Sequence, residues 1–136
     1  MNGRSFLVPA QELSVGSTEA HWRASAGRSY YALFQEALAA LQRWGIAIPP
    51  RENIHAFVRL RFLYSTDAEV KDIGKAVEFL VSLRNEADYK LATAQRFRSS
   101  TESLRAVSLS RWAISRLDQI ESDPDRLAEV IASIRP

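Results

Sequence analysis

The spacing of the apolar residues constrains this chain more than any other feature. Tyr30, Phe34, Ala37, Leu41 and Trp44 fall at i, i+4, i+7, i+11 and i+14, which is one face of an α-helix. Further along, Val70, Val77, Arg84 and Leu91 stand seven apart, and Ile73, Leu80, Ala87 and Ala94 make a second row beside them. Two such rows form the apolar stripe by which one helix packs on others. No run of alternating β-branched residues competes as a strand. The spacing predicts an all-α fold.

Stop and start signals divide the chain into helices. The first long helix is expected from near Ser17, an N-cap residue type with Glu19 in the first turn, to about Trp44, with Gly45 as its stop. The prolines of "IAIPPRE" make the next stretch a loop. A second helix is expected over Asn53 to about Tyr64. A third runs from about Ala68 to Ala94, and a fourth from roughly Ser100 to Glu121. In "SDPDRLAEVIASI" Asp123 can cap a short final helix with Pro124 in its first turn. "PAQELS" predicts one short helical turn ahead of Ser17. Short connections between long helices favour an antiparallel up-and-down bundle of four main helices with short terminal ones. With 136 residues, the expectation is a single domain able to bury a core without metals or disulfides.

Composition then removes whole classes of chemistry. The absence of cysteine excludes thiolate metal sites, iron–sulfur clusters and thiol nucleophiles. Two histidines without a nearby acidic pair do not make a metal site, and no cofactor motif is present. No apolar run has the roughly 18–20 residues of a membrane span, and "MNGRSFLVPAQELS" lacks the pattern of a signal peptide. The expected location is the cytoplasm, with no membrane partner. Net charge is +2, carried by fifteen Arg and three Lys against 16 acids. Arginine is the better residue for forked contacts to phosphate. Between Arg84 and Arg116 six Arg and one Lys face only Glu86, Asp88 and Glu102, whereas acids dominate from Leu117 on. A basic patch on one side is one expectation and a mixed solvated face the other.

Arg84 is the anomaly. It occupies a stripe position where an apolar residue belongs. A buried, unpaired guanidinium costs several kcal/mol or more, so Arg84 must find partners or open onto a cleft. Asp88 lies one helical turn later, and Asn85, Glu86 and Tyr89 flank it. An Arg84–Asp88 pair that sets helix register is one reading. A polar cleft in which Arg84 is free to bind phosphate is the other.

Two segments resemble the HEPN superfamily. The first is "GRSYYALFQEALAALQRWG", with Ser29-Tyr30-Tyr31-Ala32-Leu33-Phe34 continuing to Ala37 and Leu41. The second is "LRNEADYKLA", with Arg84-Asn85-Glu86-Ala87-Asp88-Tyr89. His55, in "NIHAFVRLRF", falls where many of these proteins have a histidine in the intervening helix. The resemblance spans roughly Ser17 to Glu121. It implies an antiparallel helical bundle, commonly a homodimer, and for many members metal-independent ribonuclease activity. Many are toxins encoded beside a small nucleotidyltransferase antitoxin, and others act in phage defence.

The family's ribonuclease motif is Arg, four to six residues, then His. This chain keeps Arg84 and Asn85 but has Tyr89 at the first histidine position and no His in the rest of the window. Cleavage of RNA without metal needs a group to move protons and another to stabilise the phosphorane charge. Arg84 suits the second task. Tyr89, with an ordinary pKa of about 10, is a poor base at neutral pH, although it can donate a proton. The site residues the resemblance implies are therefore Arg84 for phosphate, Asn85 and Asp88 for orientation and Tyr89 for proton donation or contact. His55 can serve instead if the fold brings it near Arg84. Two functions follow: an RNA-cleaving toxin or defence protein, and a non-catalytic nucleotide- or RNA-binding module partnering a nucleotidyltransferase. In the family such a partner can modify a tyrosine near the motif with AMP, and here that tyrosine is Tyr89. Tyr30 and Tyr31 are expected as core and interface residues rather than platforms for a base.

Overall fold

The structure, a computed structural model, describes residues 1–50, 53–92 and 94–134. Six α-helices occupy them, with no strand among the described residues: α1 (Leu7–Ser14), α2 (Glu19–Arg43), α3 (Ile54–Leu63), α4 (Ala68–Tyr89), α5 (Thr101–Glu121) and α6 (Pro124–Ile134). Short 3-10 turns precede α1 at Gly3–Phe6 and α5 at Ala94–Phe97. The protein is an all-α helical bundle.

Local chemistry sets each boundary. The Thr18 hydroxyl, rather than Ser17, caps α2 by accepting from the His21 amide. At its other end Gly45 takes the left-handed conformation at φ 74°. Its amide donates to the Gln42 carbonyl, and the Ile46 amide donates to that of Leu41. That pair of bonds is the Schellman arrangement, in which glycine escapes the steric cost of its Cβ. The Asn53 side chain caps α3 by accepting from the amides of His55 and Ala56. Asp67 caps α4 through the Val70 amide, and Asp123 accepts from the amides of Asp125 and Arg126 at the start of α6, behind Pro124.

The third predicted helix is shorter than its periodicity suggests. α4 stops at Tyr89, five residues before Ala94, and Leu91 is 68% exposed instead of continuing the stripe. The cause lies elsewhere in the chain. Arg23, buried on α2, sends its guanidinium to the carbonyls of Glu86, Ala87, Lys90 and Leu91 and stacks over the Phe97 ring. The Glu86 carbonyl also accepts from the Lys90 amide, and the carbonyls past it lie at the helix end where intrahelical amides run out; a cation there satisfies them and the dipole together. The Ala94 side chain, expected in the second apolar row, lies outside the described residues. "PAQELS" belongs to a full helix, α1, because Leu7, Ala10 and Ser14 dock onto the bundle.

α2 is the central element. It packs on α1, α3, α4 and α5. One buried cluster joins Tyr30, Leu33, Phe34 and Leu41 of α2 to Phe57, Val58 and Phe62 of α3. The same cluster takes in Val70, Ile73, Val77 and Leu80 of α4, Ile114, Leu117 and Ile120 of α5, and Val130 and Ile134 of α6. Helix direction alternates from α3 through α5. The segment after Gly45 brings α3 back to the middle of α2, so that His55 lies on Phe34 at 4.2 Å between ring centroids while Phe62 reaches Trp44 at 6.1 Å. α3 and α4 approach closely at Gly74, where an added Cβ would stand 2.5 Å from the Leu63 amide nitrogen.

The acidic C-terminal part does not form one face opposed to a basic one. Asp118 pairs with Arg4 at 2.8 Å and Glu121 with Arg43 at 2.6 Å, tying the end of α5 to the N-terminal turn and to the end of α2. Arg126 bridges from α6 to Asp67 and Glu69 at the start of α4. Its hydrogen bonds hold the Asp67 carboxyl below the ordinary carboxylate range. Within the arginine-rich stretch, Arg96 meets Glu86, Arg105 meets Glu102 and Arg116 meets Glu69.

Candidate functional site

Arg84 sits in the second-last turn of α4 with its side chain mostly buried. Gly27 of α2 leaves room beside it: a Cβ there would meet only the Arg84 Cγ, at 3.9 Å. The guanidinium packs against the faces of Tyr30 and Tyr31, 5.2 and 5.6 Å from their centroids. Asp88 approaches it only to 3.8 Å and is itself half-exposed, so the i, i+4 pair is loose. The Arg84 Nε is buried with no hydrogen-bond partner. A register-setting ion pair would satisfy that donor. Here it is left unsatisfied at the edge of a pocket.

The pocket lies between α3 and α4 over Tyr30 of α2 and has a volume of about 290 Å³. Tyr30, Asn53, His55, Arg59, Arg84 and Asn85 supply its polar wall, with Val77 and Val81 behind them. No acid lines it among the described residues. Arg59, one turn beyond His55 on α3, repeats the anomaly of Arg84, since its Nε too is buried without a partner. Two guanidinium groups, each with an unpartnered Nε, meet in a recess without an acid among the described residues, an arrangement able to take an anion, since forked donors of this kind match phosphate oxygens. The first turn of α3 adds its dipole, because Asn53, His55 and Ala56 line the same pocket.

His55 is held from two sides. Its Nδ1 is 2.6 Å from the Tyr30 hydroxyl, and its ring stacks on Phe34. Burial, and then the positive charge of Arg84, lower its pKa below the ordinary 6.5, so the ring is neutral at pH 7. Burial pushes the Tyr30 phenol up to about 12, which keeps it protonated. With Nδ1 engaged by the hydroxyl, Nε2 is the nitrogen left for a ligand. When Tyr30 donates to Nδ1, Nε2 carries the proton and is a donor. When Nδ1–H donates to Tyr30, Nε2 is a base.

Among the residues expected from sequence, the structure brings Arg84, Asn85 and His55 to one pocket. Asp88 stays at the margin, outside the pocket lining and 3.8 Å from Arg84. Tyr89 is 74% exposed at the last residue of α4 and does not line the pocket. Tyr30 is core, as its spacing suggests, yet its hydroxyl belongs to the site. Arg59 went unrecognised in the sequence. The available signal was its position four residues after His55, which puts both on one face of α3. Among the described residues no group of three or more His, Cys, Asp or Glu could hold a metal, and no helix is long and apolar enough to cross a membrane. Compared with protein-family models, with curated proteins and with solved structures, the chain matches none.

Proposed function

We propose that this protein is a HEPN-type toxin or defence protein that engages RNA, with the Arg84–Arg59 pocket as the phosphodiester site and His55 as the proton-moving group. One observation carries the reading: two arginines, each with a buried Nε that has no hydrogen-bond partner, and a neutral histidine line the same pocket, which has no acid among the described residues. His55 reaches this position from a different helix, so the absence of a histidine after Arg84 in the chain does not remove the chemistry.

In this scheme Nε2 of His55 takes the proton of a 2′-hydroxyl while Nδ1–H donates to Tyr30. The 2′-oxygen attacks the neighbouring phosphorus, the bond to O5′ breaks and O5′ takes a proton from solvent. A 2′,3′-cyclic phosphate and a 5′-hydroxyl end result. Arg84 and Arg59 stabilise the phosphorane charge without giving up a proton. The low pKa of His55 keeps it available as a base at neutral pH.

The test is incubation of the purified protein with total RNA in EDTA. Cleavage is expected, reduced at least a hundredfold by His55→Gln or Arg84→Ala and little changed by Tyr89→Phe. Absence of cleavage, or equal cleavage by Arg84→Ala, rejects the ribonuclease. A second reading, binding without cleavage, is favoured by the single histidine in the pocket, since no second proton-moving imidazole is available there. In that case Arg84→Ala weakens RNA binding with no activity to lose. A homodimer and a nucleotidyltransferase partner belong to both readings. The exposure of Tyr89 suits it as the acceptor of AMP from such a partner, and an intact-mass spectrum of the co-expressed protein without added nucleotide would count against this.

A further inference from the structure

The phosphate pocket does not end at Asn85. A second recess of about 410 Å³ shares its Arg59, Val81 and Asn85 and continues along α4 past Glu78, Ser82 and Glu86 to Lys90. The chemistry changes sharply across that shared wall. Among the described residues the first pocket has no acid, whereas the second has two carboxylates facing two cations, Arg59 and Lys90. Glu86 is engaged by Arg96 at 3.2 Å. Glu78 is exposed and has neither an ion pair nor a hydrogen bond among the described residues, and Ser82 and Asn85 follow it along the same face of α4.

We propose that this second recess binds the ribose on the 3′ side of the phosphate held in the Arg84–Arg59 pocket, with the Glu78 carboxylate accepting a hydrogen bond from that sugar's 2′-hydroxyl, a different one from the 2′-hydroxyl that His55 deprotonates. The inference rests on the phosphate reading above and names what lies next to the phosphate. A second phosphate is disfavoured there, because Glu78 and Glu86 would repel it. A neutral group rich in hydroxyl donors suits carboxylates balanced by nearby cations, and the 2′-hydroxyl is the group by which proteins tell RNA from DNA. Ser82 and the Asn85 amide can supply further contacts to the same sugar. The Glu78 side chain is exposed on α4 and holds no ion pair or hydrogen bond among the described residues, so replacing it leaves the fold in place.

The experiment compares two fluorescent pentamers, oligouridylate and oligodeoxyuridylate, which differ only in the 2′-hydroxyl, by anisotropy in EDTA. All proteins carry His55→Gln, so that the ribose form is bound and not cut. This parent protein is expected to bind the ribose form about tenfold more tightly, the scale of one hydrogen bond to a charged group. Glu78→Ala is expected to bring that ratio to about one by weakening the ribose form only, and Ser82→Ala to reduce it in part. A parent preference under about threefold, or a preference that survives Glu78→Ala, overturns the ribose recess. Arg84→Gln separates the two levels. If it weakens both pentamers while the parent shows no ribose preference, the ribose recess fails alone. If it weakens neither, or if neither pentamer binds the parent protein, the phosphate pocket fails and the recess with it.

Discussion

Arg84 holds a guanidinium against two tyrosine rings, with its Nε buried and unbonded and its nearest carboxylate 3.8 Å away. An unmet buried donor costs about 1–3 kcal/mol, while the cation–π contacts return roughly 0.5–2 kcal/mol. These nearly cancel, so Arg84→Met should change stability by no more than about 1 kcal/mol in urea denaturation while abolishing oligonucleotide binding. A loss above about 2 kcal/mol would instead mark Arg84 as a structural residue. His55 makes a second residue-scale prediction. Its folded-state pKa lies below 6.5, so below that pH the unfolded chain takes up a proton that the folded chain refuses. Stability is therefore complete above about 6.5 and is lost as pH falls toward the folded-state value. Urea titrations at pH 7.5 and 5.5 should show a larger drop for the wild type than for His55→Gln. The depressed carboxyl of Asp67 acts in a lower window, below its unfolded value of 3.8, and is common to both proteins.

At the scale of elements, two glycines set apart what the helices need from what the site needs. Gly74 lets α4 lie against the α3 backbone, where a methyl would stand within 2.8 Å of Leu63 and Phe62 backbone atoms. Backbone cannot yield as a side chain tip does, so Gly74→Ala should cost about 3 kcal/mol or more and separate the two walls of the pocket. Gly27 is buried in mid-helix, and a Cβ there would meet Arg84 Cγ at an ordinary contact distance of 3.9 Å. Gly27→Ala should raise stability by roughly 0.5–1 kcal/mol, since the helix gains and nothing clashes. Thermal melts of the pair should therefore move in opposite directions. The Arg23 clamp works at this scale too. By gathering the carbonyls at the end of α4, it sets where the helix stops and so where Asn85 and Lys90 lie along the groove.

Across the whole molecule, two groups of arginines stand apart. Arg4, Arg43 and Arg126 join distant parts of the chain to Glu36, Asp118, Glu121, Asp67 and Glu69. Arg59 and Arg84 lack such partners at Nε and share a pocket. On the proposed phosphate reading, electrostatic attraction to RNA should be focused at this pocket rather than spread over a broad basic face. Two phosphate contacts to a single strand predict a slope of about −1.4 in log K against log salt concentration. Arg59→Gln and Arg84→Gln should each reduce its magnitude by about 0.7. Neutralising Arg105, which pairs with Glu102 in a separate groove between α4 and α5, should leave it unchanged. A much steeper slope in the wild type would point to a broad surface.

Helix content, the caps at Asn53, Asp67 and Asp123, the stop at Gly45 and the core faces of α2 and α4 follow from local spacing and local hydrogen bonding, which a sequence carries directly. The same spacing marked Arg84 as anomalous and placed Asn85 beside it. What it could not settle is anything decided by a residue distant in the chain. α4 ends early because Arg23, more than sixty residues away, takes its last carbonyls. Tyr89 stands one helical turn beyond the pocket, because that early end leaves it exposed. His55 and Arg59 join Arg84 because the segment after Gly45 returns α3 to the middle of α2 and Gly74 draws α4 against it. Periodicity records which face a side chain shares with its own helix. Only the packing of helices decides which side chains share a pocket.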